Sequence, residues 1–134
     1  MIGLLIISHG DLSEGLLHAA NLITGSHKCV KYLGLQNTDS GTDFNKSIEK
    51  NINDLIEEGA NKVVLLIDLF GGTPFNQAMQ LTNKLEIRGI TGVNLPMLLS
   101  ALMSDRKNTD VDSFIKNILN EGKNGIINLD DFKI

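Results

Sequence analysis

Two runs of the chain, IGLLII at residues 2–7 and KVVLLI at residues 62–67, are apolar almost without interruption. A strand with one wet face alternates apolar and polar residues. So continuous a run belongs to a strand covered on both faces, the habit of parallel sheets. Two further β-prone runs, Val30–Leu35 and Ile87–Val93, complete a set of four. Between the runs the apolar period changes to that of a helix. Leu12 to Ile23 places Leu16, Leu17, Ala20 and Ile23 on one face, with Gly25 as a stop. Phe44 to Glu58 carries Ile48, Ile52, Leu55 and Ile56 at helical spacing, with Thr42 as a cap and Gly59 as its close. Pro74 to Lys84 follows Thr73, with proline at the first helical position, where its missing N–H costs nothing.

Strands alternating with helices are the grammar of an open, mostly parallel α/β sheet covered by helices. After it come a short apolar segment, Leu95–Met103, an amphipathic helix, Val111–Asn120, and a last short strand, Gly125–Leu129. No repeat, low-complexity segment or linker interrupts the pattern, so residues 1–134 are expected to form a single domain.

Composition excludes several function classes. The net charge is −4 and the basic residues are scattered, which leaves no footprint for nucleic acid. Cys29 is the only cysteine, so there is neither an internal disulfide nor a zinc site, and no metal or other cofactor is expected. Ile2–Ile7 has no basic leader and is too short for a signal peptide or a membrane span. The expectation is a cytoplasmic protein.

The chemistry-bearing residues fall where such a fold binds ligands, outside the carboxyl ends of its strands. The first strand ends in Ser8-His9-Gly10-Asp11, and the third in Asp68-Leu69-Phe70-Gly71-Gly72-Thr73-Pro74. If those strands are neighbours, His9 and Asp68 meet at one edge. An imidazole whose Nδ1–H is held by a carboxylate has a fixed tautomer and a free Nε2 lone pair, fit for a base or a nucleophile. Gly71, Gly72 and Thr73 lead straight into a helix, whose N–H groups and positive end favour an anion, with the Thr73 hydroxyl as a further donor. A nucleophilic histidine beside an anion cradle points to phosphoryl transfer onto the ring, which needs alignment and charge stabilisation above all. His18 and His27 have no such surroundings in the sequence and are expected on the surface.

Each feature alone is weak, and other classes lack their own signatures. A receiver-like signalling module phosphorylated on Asp68 would need an acidic pair after the first strand to hold magnesium, where this chain has Ser8-His9. A serine hydrolase would need G-x-S-x-G, which is absent. A dinucleotide-binding half-domain would need more glycines than Gly10 after the first strand.

The stretches IISHGDLSEGL, DLFGGTPFN and GVNLPMLL together resemble the enzyme IIA proteins of the mannose family of the bacterial phosphoenolpyruvate-dependent sugar phosphotransferase system, over Met1 to Leu129. The resemblance implies a phosphotransferase whose His9 takes a phosphoryl group on Nε2 from the histidine phosphocarrier protein and passes it to enzyme IIB. It implies Asp68 as the ring's carboxylate partner and Thr73 in the phosphoryl cradle, and contact with the membrane only indirectly, through the IIC and IID subunits. It also favours a homodimer in which Asn124–Leu129 lies antiparallel on a partner's sheet. The chain carries no Ala/Pro-rich linker and is expected to be a free-standing IIA subunit. A phosphocarrier subunit feeding dihydroxyacetone kinase is the alternative, though such subunits usually lack the GGTPFN loop. The transported sugar, or a regulatory role instead of transport, is not written in this stretch of chain.

Overall fold

A computed structural model describes residues 1–83 and 87–132. Along them run β1 (Ile2–His9), α1 (Leu12–Thr24), β2 (Val30–Leu35), α2 (Gly41–Glu57), β3 (Lys62–Ile67), α3 (Gly72–Thr82), β4 (Arg88–Thr91), α4 (Leu95–Met103) and α5 (Val111–Asn124), then a 3-10 turn at Leu129–Phe132. Among the described residues the four strands are all parallel, in the order β2-β1-β3-β4. Ile7 at the top of β1 stands between Leu33 and Ile67.

The continuous apolar runs have the cause expected of them. Successive strand residues point to opposite faces, and here both faces are packed. Leu4, Ile6, Val64 and Leu66 lie under α1, α4 and α5, against residues such as Ala20, Leu98 and Phe114. Leu5, Ile7, Leu65 and Ile67 lie under α2 and α3, against Phe44, Ile48, Ile52 and Leu81. Each fully buried Leu or Ile contributes about 1.5–3 kcal/mol. In β1, residues 2 to 8 are buried and His9 is the first to emerge.

A charged residue closes the opposite end of the sheet. Arg106, 6% exposed, donates from Nη1 to the Ile2 carbonyl at 2.9 Å and from Nη2 to that of Lys28 at 2.7 Å. Its own carbonyl accepts from the Ile2 N–H at 2.8 Å. Burial pushes its pKa below the usual guanidinium value, yet guanidinium keeps its charge in proteins. Arg106 therefore ties the start of β1 to the start of β2. Arg106→Met should keep the volume and orphan buried carbonyls, at roughly 1–3 kcal/mol per group. An unfolding free energy lowered by at least about 2 kcal/mol in urea titration is expected.

Several boundaries differ from those read in the sequence. Helix α2 begins at Gly41 with Ser40, not Thr42, as its cap, because the Ser40 Oγ accepts from the Asp43 N–H at 3.1 Å. In α3 the helix starts at Gly72, so Pro74 is its third residue and Thr73 its second; Lys84, the expected end, lies outside the described residues. The apolar segment Leu95–Met103 is a helix, and α5 runs on to Asn124. The largest correction concerns Gly125–Leu129, expected as a strand, which forms none within this chain. Gly125 N–H and Ile126 N–H bond back to the Glu121 and Lys123 carbonyls. The Asn128 side chain then accepts from Asp130 N–H at 3.0 Å. These local bonds satisfy the backbone in a turn, where a strand would need a neighbouring edge.

Candidate functional site

The sheet order makes the site. Helix α1 leaves β1 toward β2, while α3 leaves β3 toward β4, so the two connections part and open a crevice above the β1/β3 pair. His9 ends β1 and Asp68 follows β3 directly. The His9 Nδ1 stands 2.7 Å from Asp68 Oδ2, with the His9 side chain 50% exposed and that of Asp68 only 6%. The same oxygen accepts the His9 backbone N–H at 2.9 Å, and Asp68 Oδ1 accepts the Leu69 N–H at 2.9 Å. Asp68 is itself anchored by its N–H to the Ile7 carbonyl at 3.0 Å. A carboxylate so bound is an acceptor only, so Nδ1 carries the proton and Nε2 keeps its lone pair.

Of the two glycines expected at the site, Gly72 lies against the ring. Gly71 and Gly72 hold φ of 90° and 79°, in the left-handed region that side chains avoid. A Cβ on Gly72 would come within 3.2 Å of His9 Cε1 and 3.4 Å of Nε2. The backbone at the start of α3 thus passes directly beneath the open nitrogen. Gly71 caps the helix without a side-chain bond, and Thr73 sits half-buried in the first turn. Helix N–H groups without intrahelical partners and the positive end of the dipole favour an anion at this place.

His9, Asp68 and Gly72 therefore come together, with Gly71 and Thr73 on either side of Gly72 in the chain. The other histidines lie elsewhere: His18 is exposed on α1, and His27, expected on the surface, is half-buried with Nε2 3.0 Å from the Thr24 hydroxyl. Asp68, largely covered and already engaged with three donors, is poorly placed to receive a phosphoryl group as a receiver domain would.

Two contributors were not legible in the sequence. Ser8, fully buried, accepts the Ser13 N–H on Oγ at 2.8 Å and so caps α1, a task that Asp11 at the cap position leaves undone. A serine five residues ahead of its target has no sequence signature of its own. Asn94 caps α4 through Met97 N–H at 2.9 Å and donates to the Gly122 carbonyl at 2.9 Å. That bond joins the GVNLPMLL stretch to the end of α5.

Comparison with known proteins places this geometry. Residues 3–119 match the family model EIIA-man, described as PTS system fructose IIA component. The chain is 31% identical over 127 residues to the PTS system mannose-specific EIIAB component of Escherichia coli (strain K12), covering 93% of this chain and 38% of that protein. It thus spans well under half the length of that relative. It is 29% identical over 103 residues to the PTS system fructose-specific EIIA component of Bacillus subtilis (strain 168), covering 76% of this chain and 69% of that one. The crystal structure of phosphotransferase system component EIIA from Streptococcus agalactiae superposes with a TM-score of 0.88 at 27% identity, over 98% of this chain and 99% of the other. With a family match over most of its length and a sheet edge that presents a carboxylate-held histidine, the chain belongs to the EIIA-man family of phosphotransferase-system IIA components.

Proposed function

We propose that this chain is a cytoplasmic phosphocarrier whose His9 Nε2 takes a phosphoryl group from the histidine phosphocarrier protein and passes it to enzyme IIB, in the service of sugar uptake. The observation that carries this reading is the 2.7 Å contact of Asp68 with Nδ1, which leaves Nε2 open above the first turn of α3. The Nε2 lone pair attacks phosphorus in line, and the bond from phosphorus to the donor's ring nitrogen breaks, its electrons returning to that ring. Both nitrogens of His9 are then substituted and the ring is a cation, which the adjacent carboxylate stabilises. The N–H groups of Gly72 and Thr73, with the Thr73 hydroxyl, take the charge of the moving phosphoryl oxygens. Transfer to enzyme IIB is the same step reversed onto a new nucleophile. The test is incubation with phosphoenolpyruvate, enzyme I and the phosphocarrier, followed by addition of enzyme IIB. The expected product is an acid-labile, base-stable phosphate that is chased onto IIB; a chain that takes no label is not a carrier.

The working unit is a homodimer formed through the C-terminal segment. Ile126 and Leu129 are 77% and 79% exposed, and Phe132 is 66% exposed. So apolar a tail is poorly suited to water, and β4 is an edge strand with one side unpaired among the described residues. Exchange of the tail onto the β4 edge of a second copy covers both, in a two-fold arrangement. Deleting every residue after Lys123 should give a monomer or an aggregate in sedimentation. A truncated chain that stays a soluble dimer would place the interface elsewhere.

A further inference from the structure

His9 has two unlike flanks. On the β2 side, His9, Gly10, Leu35, Gln36, Asn37 and Asp39 line an open cavity of about 450 Å³. Its rim is acidic: Gln36 donates from Nε2 to Asp11 Oδ1 at 3.2 Å, and its backbone N–H donates to Asp39 Oδ2 at 2.8 Å. Those bonds hold Asp39 in the cavity wall and Asp11, two residues after His9, against Gln36. On the β3 side stand Leu69 and Phe70, 48% and 78% exposed, directly after the aspartate that holds His9. Phe70 is held in place, its ring 4.7 Å from that of Phe75 at an interplanar angle of 50°. Phe75 in turn packs on the core under α2 and α3. A large aromatic ring that meets water, yet is fixed by a core neighbour, loses little entropy when a partner covers it.

Phosphoryl transfer between two proteins requires contact here. Nucleophile and phosphorus must approach to roughly 3–3.5 Å in line, so the donor's surface must press against the ground around His9. Resting on His9 as the phosphoryl carrier, we infer that Phe70, with Leu69 beside it, is the anchor for the protein that delivers the phosphoryl group. The acidic flank of Asp11 and Asp39 selects a donor whose phosphohistidine is surrounded by cations. A bare phosphorylated small molecule brings only negative charge to that rim and is repelled. A protein that shields its phosphate with Lys or Arg is attracted, and an apolar patch on it covers Phe70. Buried aromatic anchors of this kind dominate protein contacts, while rim charges govern approach rate and salt dependence.

The test compares two phosphodonors on the full chain: the phosphorylated histidine phosphocarrier, and phosphoramidate, a small anion that gives its phosphoryl group to imidazole and leaves as ammonia. Phe70→Ala should lower kcat/KM with the protein donor by about 30-fold, the effect of losing an interface hot spot. The same variant should react with phosphoramidate at the wild-type rate and melt at the wild-type temperature, and Phe70→Leu should restore most of the loss. The double variant Asp11→Asn, Asp39→Asn keeps an acceptor oxygen on both side chains. It should flatten the fall of the protein-donor rate with salt and leave the phosphoramidate rate equal or faster. A wild-type protein-donor rate in Phe70→Ala overturns the anchor. So does equal slowing with both donors, since Phe70 would then act on His9 itself. An unchanged salt dependence in the double variant overturns the acidic selection. A wild-type chain inert to both donors would instead remove His9 as carrier, and the anchor with it.

Discussion

Replacing His9 with alanine is expected to abolish phosphorylation of the chain while leaving it folded. The chain has three histidines, and only His9 combines an open Nε2, a carboxylate on Nδ1 and a helix N-terminus beneath the ring. No other side chain among the described residues offers a nitrogen in that position. The fold should survive with a modest loss of stability. His9 stands at the exposed end of β1, and its ring makes one hydrogen bond. Asp68 would keep the backbone N–H of residue 9 and that of Leu69 as donors, so the loss is confined to about 1–2 kcal/mol. The check is a phosphorylation assay read by mass and by acid lability, beside a thermal melt. Label that persists in His9→Ala, on His18 or His27 for example, would sink the reading.

Asp68→Asn is expected to slow transfer by roughly 10- to 10⁴-fold, by analogy with other histidine–carboxylate pairs. The geometry gives the reason. Three N–H groups converge on this carboxylate: two reach Oδ2, from the His9 backbone and ring, and one reaches Oδ1 from Leu69. An amide has one oxygen to accept with. If that oxygen takes the Oδ2 place, its NH₂ faces the Leu69 N–H. If it is turned, the NH₂ faces the His9 backbone N–H and drives Nδ1 to the wrong tautomer. In either placing the negative charge that would stabilise the phosphorylated, cationic ring is gone. Single-turnover transfer from the phosphocarrier measures the loss, and the ¹⁵N shifts of the His9 ring report the tautomer. Wild-type kinetics would take Asp68 out of the step, and a hydroxylamine-sensitive phosphate on Asp68 would reverse the roles.

The local sequence determined the first four strands and the three helices between them because one physical signal, apolar period, was strong there. IGLLII and VVLLI are buried on both faces, and a strand buried twice is apolar along its buried length. The amphipathic stretches before and after them had one face to bury, hence their helical spacing. The meeting of His9 and Asp68 was legible for a related reason. In a parallel sheet the carboxyl ends of the strands all open on one side, so residues just after two strands share an edge once those strands are neighbours. His9 and Asp68, 59 positions apart, needed only that adjacency.

What the tertiary structure alone decided were relations with no local signal. Strand order is one, since β3 pairs with β1 across the chain rather than with β2, and nothing in LLIDLF records its neighbour. The cap of α1 is another, supplied by Ser8 from inside the preceding strand, and so is the reach of Arg106 to carbonyls at residues 2 and 28. The tail shows the limit most plainly. Residues 125–129 have the composition of a strand, but strand is a state of two segments, and no edge in this chain meets them. Propensity therefore named a capacity, while the available hydrogen-bond partners chose a turn.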